Sequence, residues 1–358
     1  MARLNQVFKR MLMVSLSGWL LLSAAFFSSA ALASGTQAGL NEEAVPLLEH
    51  GDVKQVYMVL WRGLTEAERG FMDSLMAQPK PVEFIVRNAG KSHEQLALIR
   101  DDIRQRKPDL VYSFGTTVTS ALVGTESRFD PDLHVQSIPV IFNIVADPKG
   151  AGIVSDYEHP QRNITGTSHL VPMATQVAAM QELEGVKRIA VIFNPKEKNS
   201  MLQVQALKDA STAAGLELVA FELPSANDAE ASAHFAAFVR YIKEQKADIA
   251  YLPSDSFLIS HAKALVNASH GAGVPVFSAT EGPIRKAGAY MGLVSRYYNV
   301  GQFAAYKAQQ VLFDGKAIAQ IPVETLKRFS FIVNMTAAKT LDRYPPVTIM
   351  QTAEVVKE

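Results

Sequence analysis

Along the chain, short unbroken apolar runs alternate with stretches whose apolar residues fall three or four apart. The first are the mark of buried strands and the second of helices with one greasy face. Val56–Leu60 is a strand by this reading, Glu66–Met76 a helix with Phe71, Leu75 and Met76 on one side, Val82–Val86 a second strand, and His93–Arg106 a helix carrying Leu96, Ile99 and Ile103. Leu110–Tyr112 follows as a strand, then a helix to Val123 and a strand over Pro139–Phe142. A loop of turn formers separates this block from Asn163–Ser168, and the alternation then restarts.

The second block reads as helix Met173–Leu183, strand Arg188–Phe193, helix to Ala214, strand Leu216–Phe221, helix Asp228–Glu244, strand Ile249–Leu252, helix Phe257–His270 and strand Pro275–Phe277. A strand over Ala289–Val294, an amphipathic helix over Val300–Phe313, and the segments Ile321–Glu324 and Phe329–Asn334 close the pattern. Strands alternating with helices predict parallel sheets covered on both faces, and two successive blocks of similar size predict two similar doubly wound α/β lobes. A length of 358 residues agrees with two domains.

The first 33 residues stand outside this pattern. Arg3, Lys9 and Arg10 precede an almost continuous apolar run from Met11 to Phe27, and Ala31-Leu32-Ala33 supplies small residues ahead of a polar stretch. These are the three regions of a secretory signal peptide cleaved after Ala33. The alternative is an uncleaved anchor, because the run approaches the length that spans a bilayer. With no cysteine in the chain, neither a disulfide nor a lipid-modified cysteine is available, so the expectation is an exported periplasmic protein that is not a lipoprotein. Equal numbers of basic and acidic residues, 35 of each, provide no net charge for nucleic acid.

Motifs for catalysis are missing. The chain has no dinucleotide or phosphate-binding glycine loop, no nucleophile elbow and no zinc-binding helix, so no catalytic residue, metal or cofactor is expected. Gly150-Ala151-Gly152 follows Asp147-Pro148 and reads as a turn. Polar residues instead gather at the carboxyl ends of strands, where open α/β sheets bind ligands. They are Trp61 and Arg62, Thr116 and Thr117, Asn143, Asn194, Ser200, Asp255 and Glu281. In Ser113–Leu122 a strand breaks at Gly115 and a helix opens, with Thr116 or Thr117 as the expected N-cap. Either that turn caps a helix and nothing more, or the helix N-terminus also holds an anion.

The stretches Ser113–Thr117, Ile138–Phe142, Asp147-Pro148, Asn163–Ser168, Arg188–Pro195 with Asn199-Ser200, Asp248–Asp255, Lys286–Ala289 and Ile321–Glu324 together resemble the type I periplasmic solute-binding proteins of ABC transporters. The similarity is to the branch that binds tryptophan and phenylalanine, and it runs from about Val53 to Leu341. It implies two lobes joined by three hinge crossings near Thr167, Ser295 and Thr325, with a small molecule enclosed between them. Lobe one would comprise 34–168 completed by 295–324, and lobe two 169–294 completed by 325–358. The partners so implied are a small-molecule solute, an amino acid or related carboxylate, and the permease subunits, the receptor itself being a monomer.

Family members often carry His-Pro after the first strand, where this chain has Trp61-Arg62-Gly63-Leu64-Thr65. Trp61 and Arg62 either stack a planar ligand and pair with a carboxylate, or face outward as rim residues. Two other classes remain at this level: a ligand sensor acting on a membrane receptor, and an exported enzyme using Asp255 and Glu281 as paired carboxylates.

Overall fold

The computed structural model describes residues 53–357, so the leader and the first residues of the expected lobe one lie outside the described residues. The first block forms β1 (Lys54–Leu60), α1 (Glu66–Met76), β2 (Val82–Asn88), α2 (His93–Arg106), β3 (Leu110–Phe114), α3 (Gly115–Val123), β4 (Val140–Val145) and β5 (Ile164–Ser168). The second forms α4 (Met173–Gln181), β6 (Arg188–Phe193), α5 (Lys198–Ala213), β7 (Glu217–Glu222), α6 (Ala231–Glu244), β8 (Ile249–Leu252), α7 (Ser256–Ser260), α8 (Ala262–Gly271), β9 (Val276–Ser278), α9 (Glu281–Lys286) and β10 (Met291–Val294). The chain ends with α10 (Tyr297–Leu312), β11 (Glu324–Thr325), β12 (Ser330–Asn334), α11 (Met335–Thr340), α12 (Val347–Met350) and β13 (Glu354–Val356).

The strands build two sheets, β11-β5-β4-β3-β1-β2 and β13-β12-β10-β9-β8-β6-β7. All pairings are parallel except β10 with β12. Central strands such as β3 and β4 are buried along their whole length, as expected of strands covered on both faces. In the second sheet one face packs under Phe235, Phe238, Leu258 and Leu265, the other under Met180, Leu207, Val177 and Ile349. The fold is therefore two α/β lobes. Three passages join the sheets, after β5, after β10 and after β11.

The middle passage returns α10 to the first lobe, where it crosses α1 with almost no separation. A Cβ at Gly70 would run into the carbonyl of Tyr298, and one at Gly301 into the carbonyl of Ala67. Glycine at both positions is what lets the two backbones touch.

Several elements differ from the sequence reading. The helix expected over 257–270 is broken at His261 into α7 and α8. Glu281, expected to close a strand, instead opens α9, and α11, α12 and β13 have no counterpart in the hydrophobic pattern because each is six residues or shorter. Among the described residues no helix is long and apolar enough to cross a membrane.

Candidate functional site

The carboxyl ends of both sheets face a common cleft lined by Trp61, Arg62, Phe114, Thr116, Thr117, Ile144, Ala146, Asn199, Ser254, Ser256, Gly115 and Tyr297. Three turns of the first lobe supply most of it. After β1 the chain bends through Trp61-Arg62-Gly63, with Gly63 at φ 94°, a value that favours glycine. Trp61 is buried with its ring 5.3 Å from that of His93, and the Arg62 guanidinium lies 5.7 Å above the Phe114 ring. Arg62 has no acidic partner among the described residues. A cation held in a cleft without a counter-ion is a site for an anion.

The second turn joins β3 to α3. Gly115 has φ 77°, and the helix starts two or three residues earlier than an N-cap at Thr116 or Thr117 would place it. The N-cap is Phe114, which offers no side-chain hydrogen bond, so neither Thr116 nor Thr117 caps the helix; both lie within its first turn. The first N–H groups therefore lack a side-chain cap.

The third turn is a bulge in β4, where the register with β5 shifts between Phe142 and Val145. Ile144 sits there at φ 58°. A β-branched residue in that region is strained by roughly 1–2 kcal/mol. The Asn143 side chain offsets this by accepting a hydrogen bond from the Ile144 N–H at 3.0 Å.

The second lobe contributes Asn199 from α5, and Ser254 and Ser256 from the turn after β8. Asn199 and Gln203 both donate to the Ser254 carbonyl, at 2.6 and 3.3 Å, and the Gln203 side chain accepts from the Ser254 N–H at 2.9 Å. The Ser254 hydroxyl meets Nε2 of His169 at 3.0 Å. His169 sits at the first passage between lobes, and its ring meets that of Tyr297, from the second passage, edge-on at 5.7 Å. Burial and the nearby charge of Arg62 push the His169 pKa down to about 3, so this imidazole is neutral at physiological pH.

The lobes are in contact. A Cβ at Gly150, in the turn read from the sequence, would come within 3.0 Å of the Leu202 side chain on α5. The cavity itself measures about 30 Å³, room for about two waters. A larger occupant needs more room than this, which parting of the lobes would supply.

Of the nine residues singled out from sequence, Trp61, Arg62, Thr116 and Thr117 line this cleft. Asn143 lies beneath its floor, fully buried, with its amide committed to Tyr112, Thr167 and Ile144. Asn194 and Ser200 are buried behind the second-lobe wall, where the Asn194 N–H donates to the Ser200 hydroxyl. Asp255 sits between the cleft-lining Ser254 and Ser256 and is the N-cap of α7, accepting from the Leu258 N–H at 2.9 Å. Its other oxygen, Oδ2, is buried and makes no close hydrogen bond, although the Ser200 hydroxyl and the Asn194 N–H lie near enough to the carboxyl to favour its ionised form. Burial and the negative charge of Glu197 raise the Asp255 pKa to about 7.

Glu281 lines an adjoining groove that shares Arg62 and Tyr297 with the cleft. It accepts from the Tyr297 N–H at 2.7 Å and pairs with Arg285 and Arg296. The acid that acts on Asp255 is thus Glu197, and the carboxylate of Glu281 is already satisfied at the hinge. Sequence reasoning did not select Phe114, Ile144, Ala146, Asn199, Ser256 or Tyr297, and took Ser254 only together with Asp255 at a strand end. Asn199 and Ser254 each adjoin a selected residue, which was a usable signal, whereas Tyr297 reaches the cleft only through the return of the chain.

Residues 53–357 match the model of a family described as ABC transporter substrate binding protein. A tyrosine-binding protein of Clostridioides difficile (strain R20291) is 27% identical over 284 residues, covering 78% of this chain and 77% of that protein. The crystal structure of a conserved domain protein from Vibrio cholerae O1 biovar El Tor superposes with a TM-score of 0.75 at 26% identity, over 86% of this chain and 100% of that one. The ABC domain of Streptococcus pneumonia solved with L-Trp gives a TM-score of 0.73 at 22% identity, over 85% and 99% of the two chains.

Proposed function

The chain belongs to the ABC transporter substrate-binding proteins, and from that premise we propose that it captures an aromatic amino acid, or a closely related carboxylate, between its lobes and delivers it to a permease. Substrate-binding proteins of ABC transporters work outside the cytoplasmic membrane, and the leader supports placing this one in the periplasm. The observation that carries the solute class is the Arg62 guanidinium, set in the cleft with no acidic partner among the described residues and accompanied by the uncapped start of α3 at Thr116 and Thr117. Together they form a receptor for a carboxylate. Trp61, Phe114 and Tyr297 supply the aromatic wall, in keeping with the tyrosine bound by the relative from Clostridioides difficile. Asp255, buried between Ser254 and Ser256 of the cleft wall, is the group for the ammonium.

Delivery follows from closure. A solute that contacts both lobes binds the closed form better than the open one and shifts the population toward it, and the closed form is what the permease receives. Titration calorimetry with tyrosine, phenylalanine, tryptophan and tyramine tests the solute class. At least one amino acid should bind tightly, and tyramine, which lacks the carboxylate, about a hundredfold more weakly. Equal affinity for tyramine, or no binding of any amino acid, would refute it.

A further inference from the structure

Glu68 is wholly buried on α1 and faces no cation. Its Oε2 accepts from the backbone N–H and the hydroxyl of Thr65, both at 2.7 Å, closing the capping box that starts the helix. Its Oε1 accepts from the Tyr112 hydroxyl at 2.6 Å. Because the Asn143 amide donates to that same hydroxyl at 3.1 Å, the Tyr112 proton must point at Glu68. Asn143 Oδ1 in turn accepts from the Thr167 hydroxyl at 2.6 Å and from the Ile144 N–H.

The donors thus run in one direction, from Thr167 on the last strand before the first passage, across β4 and β3, to a carboxylate on α1. At that end the relay holds Thr65, the last residue of the loop that carries Trp61 and Arg62. The loop spans only Trp61–Thr65 between β1 and α1. Its near end is fixed by the Lys91 N–H donating to the Trp61 carbonyl at 2.9 Å. Its far end is fixed by Glu68 alone among side chains whose hydrogen bonds to Thr65 are seen. A carboxylate buried without a cation is costly, and burial raises the Glu68 pKa, so these three donors are what hold it.

We infer that Glu68 is a positioning residue for solute binding: it sets the Arg62 loop and ties it, through Tyr112 and Asn143, to the strand that leads into the hinge. Glu68 never touches the solute. This rests on the reading of Arg62 as the carboxylate anchor, and the test separates the two. Glu68→Gln keeps size but turns one oxygen into an N–H₂ group, which cannot accept from both Thr65 donors and Tyr112 at once.

The variants are Glu68→Gln, Arg62→Gln and Tyr112→Phe, the last removing one link while leaving the carboxylate in place, with Glu68→Gln and Tyr112→Phe each also combined with Arg62→Gln. Affinity for L-tyrosine, L-phenylalanine and L-tryptophan is measured for each, with circular dichroism to confirm the fold. Trp61 is the only tryptophan besides Trp19 of the leader, so emission of the mature protein reports the loop without any ligand. Glu68→Gln should shift that emission to the red and weaken binding about tenfold, Tyr112→Phe less, and neither should weaken it further once Arg62 is glutamine. Losses that add in the double variants, or unchanged emission and affinity in Glu68→Gln, would overturn the inference. If Arg62→Gln binds normally, it is the carboxylate anchor that fails, and the emission shift alone then decides whether Glu68 positions the loop.

Discussion

With the ammonium of the solute on Asp255, as proposed, binding should strengthen as pH rises. The Asp255 pKa of about 7 in the folded, empty protein exceeds the roughly 3.9 of an unfolded chain, so the buried site favours the neutral acid. A group raised in this way contributes stability that is fully present below the unfolded value and is lost as pH rises through the folded one. The empty protein should therefore lose stability between about pH 4 and 7. An ammonium placed against Oδ2 reverses the preference and holds the carboxylate ionised, so binding must release the proton. At pH 6 an acid of pKa 7 is about nine-tenths protonated and at pH 8 about one-tenth, which makes the solute bind about tenfold more tightly at pH 8 than at pH 6. His169, with its pKa near 3, does not titrate in this window. Calorimetry in buffers of different ionisation enthalpy should record about 0.9 proton released at pH 6 and almost none at pH 8. Asp255→Asn retains an oxygen to accept from the Leu258 N–H, so the cap on α7 survives while the pH dependence disappears and affinity falls. Affinity that is flat from pH 6 to 8, or an Asn variant with the wild-type slope, would refute the assignment of the ammonium to Asp255.

Two further predictions address the first lobe. Thr117→Val preserves shape and removes the hydroxyl from the uncapped start of α3; it should weaken solute binding about tenfold while leaving the unfolding midpoint nearly unchanged, because Phe114 and not a threonine is the cap. Gly301→Ala drives a methyl group into the Ala67 carbonyl, so denaturant unfolding should show a loss of about 3 kcal/mol or more, and a variant of unaltered stability would mean that α1 and α10 are not so closely apposed.

The two-lobe architecture was legible because its signal is repeated: each strand with both faces covered is an apolar run, and each run is followed by a helix that must cover it. Trp61, Arg62, Thr116 and Thr117 were legible for the same reason, since a polar residue at the carboxyl end of a parallel strand has the cleft before it. Asn143 obeyed that rule and still turned inward, because the bulge at Ile144 redirects the chain and the amide is used to hold it. Nothing in a linear pattern marks a β-branched residue that takes positive φ. Glu68 shows the opposite limit. Thr65-Glu66-Ala67-Glu68 is a capping box on its face, but the third hydrogen bond to Glu68 comes from Tyr112, 44 residues away, and depends on how α1 lies across β3. Tyr297 escaped for a related reason: its place at the hinge exists only once the chain has crossed between the lobes.

The contact of Gly70 with Tyr298 and of Gly301 with Ala67 also bears on how the molecule comes into being. The helix that seals α1 is made more than two hundred residues after it, so a nascent chain ending at Val294 has all of β1 to β5 but no partner for the glycine face of α1. The second lobe has most of its strands by then, yet it too waits for β12 and β13. Neither half can finish before the residues that follow Val294 have been made, and such long-range closure slows folding. Each lobe is held back by the other's thread, so neither core locks until the chain has crossed back.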